Sequence, residues 1–331
     1  MLAARYYGIG DVRVEEVPRP VCGRGEVLIK VAYAGICGSD LHIYRKGMFV
    51  TKVPETMGHE FSGVVEEVGT DVSGLVPGDS VVGDPRVTCG NCEWCRQGLG
   101  HLCPELGFIG EVSPGCFGEY LLMRPECLLK IPKFMALQKA ALVEPLAVAL
   151  HIVTRAKLTP PVRLGVVGAG PIGLITVLVA RAAGISQVAV VDLSPDRCEL
   201  AKRLGADLVM ESFPDDFSSQ VDVVIEAVGV EKTLQGSVKW LRPGGRLVMA
   251  GLYEDKICFD PNDIVVKELE VVGVNAYETA DLHKAINHLA SDSIDVTPVV
   301  SHILPLASAA QAFSMLTAST KNSAKILLEP N

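Results

Sequence analysis

The sequence predicts an α/β protein in two parts, a β-rich part and a doubly wound parallel sheet. Three observations predict it. Residues 61–84 carry Val64, Val65, Val68, Val72, Val76, Val81 and Val82, cut by Gly69, Gly74 and Pro77-Gly78-Asp79, a pattern of short strands joined by tight turns. Residues 163–174 read as strand, tight turn and helix, with Gly168, Gly170 and Gly173 at G-x-G-x-x-G spacing. From there strands and helices alternate as far as Gly273, as a parallel sheet requires. A chain of 331 residues suits two domains. We expect one domain from residues 1–145 and 280–331, with a cysteine lobe at 88–104, and a second from residues 146–279.

A net charge of −9 argues against a nucleic-acid or anionic-membrane partner. Met1 to Gly8 lacks the basic segment and long apolar run of a secretory leader, and Leu174 to Ala180 is too short to span a bilayer, so we expect a cytoplasmic protein without a membrane partner. In such a chain clustered cysteines point to metal rather than disulfides. Cys22, Cys116, Cys127, Cys198 and Cys258 stand outside any ligand spacing and read as ordinary thiols.

Val12, Val14 and Val17 lie in an extended pattern, and Glu26 to Ala34 forms a long apolar strand. It ends at Gly35-Ile36-Cys37-Gly38-Ser39-Asp40-Leu41-His42, where Ser39 or Asp40 suits the N-cap of a short helix. Next comes Gly58-His59-Glu60-Phe61-Ser62-Gly63. Cys37, His59 and carboxylates such as Glu60 and Glu144 could meet at one zinc ion, which takes thiolate, imidazole and carboxylate ligands. Cys89, Cys92, Cys95 and Cys103 follow as C-x2-C-x2-C-x7-C. Four thiolates in that spacing can close a tetrahedral structural zinc site; His101 is left out because four cysteines suffice.

Pro145 to Val153 reads as a buried helix. In the glycine fingerprint the first glycine allows the turn, the second lets backbone approach a pyrophosphate, and the third lets helix pack on strand. Pro171 and Ile172 open that helix. Strand Gln187 to Val191 ends in Asp192, where an acid binds the ribose 2′-hydroxyl and favours NAD over NADP; Arg197 nearby is the counter-argument. Asn275 follows the last strand of the sheet and joins these as a cofactor-binding candidate. Helices are expected at Pro195–Leu204, Glu231–Leu241, Leu282–Leu289 and Ser308–Thr317, and a last strand at Ala324–Leu328.

Gly58-His59-Glu60-x2-Gly63-x5-Gly69-x2-Val72, the four-cysteine lobe and the later G-x-G-x-x-G occur together and in order over nearly the whole chain. In this the chain resembles the zinc-dependent medium-chain dehydrogenase/reductase family. The resemblance implies a GroES-like catalytic domain, an inserted Rossmann domain, and a cleft between them. It makes Cys37 and His59 ligands of a catalytic zinc. Val143-Glu144-Pro145 stands where alcohol dehydrogenases carry a second cysteine, which is similar to the sorbitol, butanediol and threonine dehydrogenase branch. There Glu60 and Glu144 would share zinc and substrate duties, in an order left open. Ser39 and His42 match the family's proton relay, and Asp40 its acceptor for the His59 ring.

The implied reaction is hydride transfer between a secondary alcohol and NAD, the alcohol being a polyol, vicinal diol or β-hydroxy amino acid. Polyol dehydrogenases often have Arg-Tyr after the last Rossmann strand. This chain has Ala276-Tyr277, so sorbitol itself is in doubt. L-threonine 3-dehydrogenase activity and a non-catalytic NAD-binding sensor are the alternatives. Relatives with the cysteine lobe imply a homo-oligomer, with a tetramer favoured over a dimer.

Overall fold

The computed structural model describes residues 1–213, 220–318 and 324–330. Val27–Gly35 is the centre of the β-rich part. Its apolar run is buried along most of its length because strands lie on both sides of it. Glu60–Val68 pairs with it antiparallel, then Ser80–Gly83 and Leu128–Lys130 continue the sheet outward, and Tyr120–Met123 pairs with its first half. On its other side lies the last strand, Lys325–Glu329, with Leu327 opposite Gly35 and Leu328 opposite Ala34; Val300–Pro305 follows in parallel. The tail thus returns to the first sheet. A smaller sheet joins Leu2–Gly8 to Asp11–Glu16 and Glu55–Thr56.

The second sheet is wholly parallel. Its order is Leu208–Met210, Gln187–Val191, Arg163–Val167, Val221–Glu226, Leu241–Met249, Glu270–Gly273. In chain order that is 3-2-1-4-5-6, so the sequence of strands reverses between Arg163–Val167 and Val221–Glu226. Ligands of such sheets bind at that reversal, beyond the carboxyl ends of the strands. The fifth strand starts at Leu241 and passes through Pro243-Gly244-Gly245 with a register shift against Val221–Glu226.

The helix Val143–Ala156 packs against Pro171–Ala182 and Thr279–Ala290 in the largest apolar cluster. Leu146 and Ile152 are fully buried, and each such side chain contributes about 1.5–3 kcal/mol. This helix presents Glu144 in its first turn, so its packing fixes where that carboxyl stands.

Candidate active site and cofactor cleft

The helix Gly38–Lys46 begins at Cys37, which is the N-cap in an extended conformation; the Asp40 carboxylate, three residues on, accepts a hydrogen bond from Cys37 N at 2.8 Å. The expected cap at Ser39 or Asp40 is therefore corrected. The short Asp side chain reaches back from the first turn to satisfy the amide that the turn leaves free. This clamp holds Cys37 at the end of the central strand, across from Glu60, which pairs with Gly35. The Cys37 sulfur, a ring nitrogen of His59 and a carboxylate oxygen of Glu60 lie within 4.8 Å of one another. Ser39 Oγ is 3.4 Å from His59 Nε2. Glu144 is buried beside this trio and outside it.

Glu60 forms a buried ion pair with Lys325 of the last strand, whose Nζ also donates to Ile36 O at 2.9 Å. Gly35 makes room for the pair, because a Cβ there would lie 2.3 Å from Glu60 Oε2. Burial and the neighbouring Glu60 charge push the Glu144 carboxyl up to about 7. Burial alone would lower His59, yet the negative charge of Asp40 and Cys37 raises it well above the histidine range. Burial also raises Asp40 and Glu111. Asp40 Oδ1 and His59 Nδ1 are buried without a hydrogen bond, so the expected Asp40–His59 contact is not made as one.

The centre thus gathers the Cys37 thiol and the carboxyls of Asp40, Glu60, Glu111 and Glu144 around Lys325 and His59. Buried charge of one sign is costly unless a counter-ion offsets it. A divalent cation does so, and a thiolate–imidazole–carboxylate donor set suits zinc.

The four cysteine sulfurs of the lobe also lie within 4.8 Å of one another. Cys103 Sγ is 3.5 Å from Cys89 Sγ, and Cys95 N points at Cys92 Sγ at 3.4 Å. Backbone amides of Asn91 and Cys92 aimed at its sulfur pull the Cys89 thiol down to about 7. The lobe is thereby poised to hold a cation through four thiolates. His101, omitted from this set, is buried at its edge, 5.2 Å between ring centroids from His151.

Gly168 has φ +97, and a Cβ on Gly173 would lie 1.8 Å from Gly168 O, so both positions require glycine. A Cβ on Gly170, the N-cap, would meet nothing within 4 Å, which leaves open space before the helix Pro171–Ala182 where an anion suits the helix end. Pro171 takes the first helical position and Ile172 the second. Asp192 accepts from Ala169 N at 2.7 Å and from Ser194 N at 2.8 Å, and Arg197 Nη1 stands 4.0 Å from it. Asn275 lies just past the edge strand and donates to His101 O at 3.4 Å, tying the cysteine lobe to the parallel sheet.

Lys325 and Arg86 of this centre were not singled out in the sequence, and Tyr277 was noted only as part of Ala276-Tyr277. For Lys325, a lone lysine at the head of Lys325-Ile326-Leu327-Leu328 was the only hint. Tyr277 is fully buried and faces Glu144, which together with burial raises its hydroxyl well above the tyrosine range. Arg86 bonds Asp84, Tyr277 O at 2.5 Å and Thr279 Oγ1 at 2.8 Å, pinning the segment where the chain leaves the parallel sheet.

Comparison with known proteins agrees with this architecture. Residues 23–133 match the family described as "Alcohol dehydrogenase GroES-like domain" and residues 171–291 that described as "Zinc-binding dehydrogenase". The sorbitol dehydrogenase of Homo sapiens is 37% identical over 93% of this chain and 90% of its own length. The solved structure of 2R,3R-butanediol dehydrogenase from Bacillus subtilis superposes with a TM-score of 0.91 at 34% identity, over 100% of this chain and 99% of that one. A protein of Sinorhizobium meliloti 1021 bound to NADP gives 0.92 at 32% identity, over 99% of both chains. The chain belongs to the zinc-dependent medium-chain dehydrogenase family, whose members are oxidoreductases that use zinc and NAD(P).

Proposed function

We propose that the protein oxidises a secondary alcohol whose neighbouring carbon carries a second polar group, a polyol or vicinal diol first and a β-hydroxy amino acid second, using NAD. The observation that carries this reading is a second buried carboxyl, Glu144, beside the Cys37–His59–Glu60 trio. With its pKa near 7, Glu144 can act as a ligand or as a hydrogen-bond partner of the neighbouring hydroxyl. The sorbitol and butanediol dehydrogenases among the relatives support the same substrate classes.

Cys37 and His59 would hold the catalytic zinc with Glu60 or Glu144. The Lys325 pair on Glu60 favours Glu144 as the carboxylate left free for metal or substrate. Cys89, Cys92, Cys95 and Cys103 would hold the structural zinc. When bound, the catalytic zinc acidifies the substrate hydroxyl and the nicotinamide accepts hydride. The chain's own part is to remove the proton. Ser39 stands against His59, and His42, one turn along the same helix, passes the proton toward water.

The nucleotide would lie over Gly168, Gly170, Pro171, Ile172 and Gly173, with Asp192 at the ribose and Asn275 near the nicotinamide end. Asp192 supports NAD, since its charge repels a 2′-phosphate; Arg197, 4.0 Å away, is the residue an NADP-using variant would recruit. Residues 1–145 with 280–331 would form the catalytic domain, a division supported by the last strand pairing with Val27–Gly35. Exposed Val265, Val266 and Val271 around the edge strand Glu270–Gly273 support a homo-oligomer, dimer or tetramer. Ten free cysteines support a reducing compartment, the cytoplasm.

The test is NADH formation by the zinc-loaded protein with 2,3-butanediol, sorbitol, xylitol, L-threonine and a simple secondary alcohol, each also with NADP. Turnover of a diol or polyol with NAD supports the reading. Turnover of L-threonine alone moves it to the amino-acid class, and no turnover with full zinc occupancy replaces it with a binding role.

A further inference from the structure

We propose that Glu254 is a positioning residue of the proton relay, fixing the tautomer of His42 so that Nε2 is its accepting nitrogen. The inference rests on the relay reading of His42 given above. His42 Nδ1 lies 2.6 Å from Glu254 Oε1. The same oxygen takes the Arg45 guanidinium, with Nε at 2.9 Å and Nη2 at 2.8 Å. Partial burial opposes ionisation of Glu254, but the His42 hydrogen bond and the Arg45 charge prevail and hold it below the usual carboxylate range. An ionised carboxylate can only accept, so the hydrogen between the two groups sits on Nδ1, and the neutral ring keeps its lone pair on Nε2.

The relay step then balances simply. A hydroxyl in the relay takes the substrate's proton as it gives its own to Nε2; one O–H bond breaks on each side and one re-forms on the hydroxyl, an N–H bond forms, and the positive ring faces the Glu254 carboxylate. The proton leaves to water, which the partial exposure of both side chains, 12% and 20%, permits.

The two partners come from opposite halves of the molecule. His42 and Arg45 lie on the helix Gly38–Lys46, while Glu254 follows strand Leu241–Met249 of the parallel sheet. Lys46 and Asp255, 3.3 Å apart, repeat the contact one residue along. The Glu254 loop is itself anchored at the cofactor cleft. Tyr253 Oη donates to Glu226 Oε2 at 3.2 Å, and buried Glu226 accepts from Val228 N, Gly229 N and Thr233 Oγ1. The group that orients the relay is therefore supplied by the nucleotide-binding half, so the relay is complete only when the two halves hold this relation.

The experiment uses the full chain, zinc-loaded, as wild type, Glu254→Gln, His42→Ala and the double variant. Nitrogen-15 spectra of histidine-labelled protein, with His42 assigned by its loss in His42→Ala, report the tautomer without turnover. The expected result is an Nδ1–H ring in the wild type that changes tautomer or becomes mixed in Glu254→Gln. In turnover of the best alcohol from the panel above, Glu254→Gln is expected to lower kcat about tenfold with KM within about twofold. It should add nothing in the His42→Ala background. NADH affinity, read by fluorescence, should stay within about twofold in every variant. An unchanged His42 tautomer in Glu254→Gln, or additive losses in the double variant, overturns the proposal. His42→Ala with an unchanged rate instead overturns the relay reading itself.

Discussion

The cysteine lobe draws its four thiols from residues 89–103, while Cys37, His59, Glu60 and Glu144 come from a helix cap, a strand start and the first turn of a distant helix. The lobe is half-exposed and uniform in chemistry; the other cluster is buried except at half-buried Cys37 and mixes a thiol, an imidazole and carboxylates. In the lobe, local backbone amides prepare the Cys89 sulfur. The buried cluster is set by charges that reach it across the fold, Lys325 above all. A site built from one short segment can saturate a metal and pin a loop. A site assembled from several elements can leave room for a substrate and tune its groups against each other.

If that contrast holds, the two clusters fail differently. His59→Ala should cost the most, about 10⁴-fold in kcat/KM, or about 5.5 kcal/mol, since it removes a ligand and with it the metal's chemistry. Zinc content should fall by one ion per chain. A variant that keeps a tenth of the activity would break the comparison, because the buried cluster would then not be the reactive one.

Lys325→Met should come next. It keeps the length of the side chain but leaves Glu60 an unpaired buried anion and Ile36 O without its donor. Breaking such a pair costs about 3–5 kcal/mol. The loss should be largest in zinc-stripped protein, where no other cation offsets Glu60, and smaller after reloading. Calorimetry of both forms checks this; equal losses would mean that Glu60 does not sense the metal.

Cys92→Ser should have the opposite signature. It opens the lobe, removes one zinc and lowers the melting temperature by about 8 °C, corresponding to about 3 kcal/mol, with kcat reduced only a few-fold. A loss of activity as large as that of His59→Ala, in protein that remains folded, would show that the lobe reaches the reaction, with the Asn275–His101 contact as its route.

These differences in construction also decide what could be read from the chain. The lobe and the glycine fingerprint are contiguous and depend on spacing, so their clustering was legible, and the place of Asp192 was legible because it follows a strand at a set distance from Gly173. The parallel sheet was legible because alternation of strands and helices leaves few topologies. The Glu60–Lys325 and His42–Glu254 pairs were not. Their partners are separated by 265 and 212 residues, and no periodicity marks which acidic loop residue will meet which base. Asp40 was misplaced by three positions because a cysteine can cap a helix when an aspartate in the first turn closes the box, and preference tables for caps do not include that case.

The smallest effect sharpens the comparison through pH. In zinc-stripped protein burial and Glu60 push the Glu144 carboxyl from its ordinary value of 4.5 up to about 7. The folded state therefore binds more protons than the unfolded state between those values. Stability must fall as pH rises through that window and level off above it. The span corresponds to about 3 kcal/mol. Zinc inverts the trend, because it competes with the proton for the same cluster and binds better as the carboxyl ionises. Melting curves from pH 4.5 to 8 should then show stripped and loaded protein diverging as pH rises. Glu144→Gln should flatten the stripped curve, since it keeps the shape and removes the titration. The lobe adds to the same divergence, because its thiols must lose their protons to hold zinc, and Cys89 does so from a thiol lowered to about 7 rather than raised. Repeating the series in Cys92→Ser, where the lobe no longer holds zinc, separates the two clusters. A divergence that survives there belongs to the buried carboxylates, and one that vanishes belongs to the thiols.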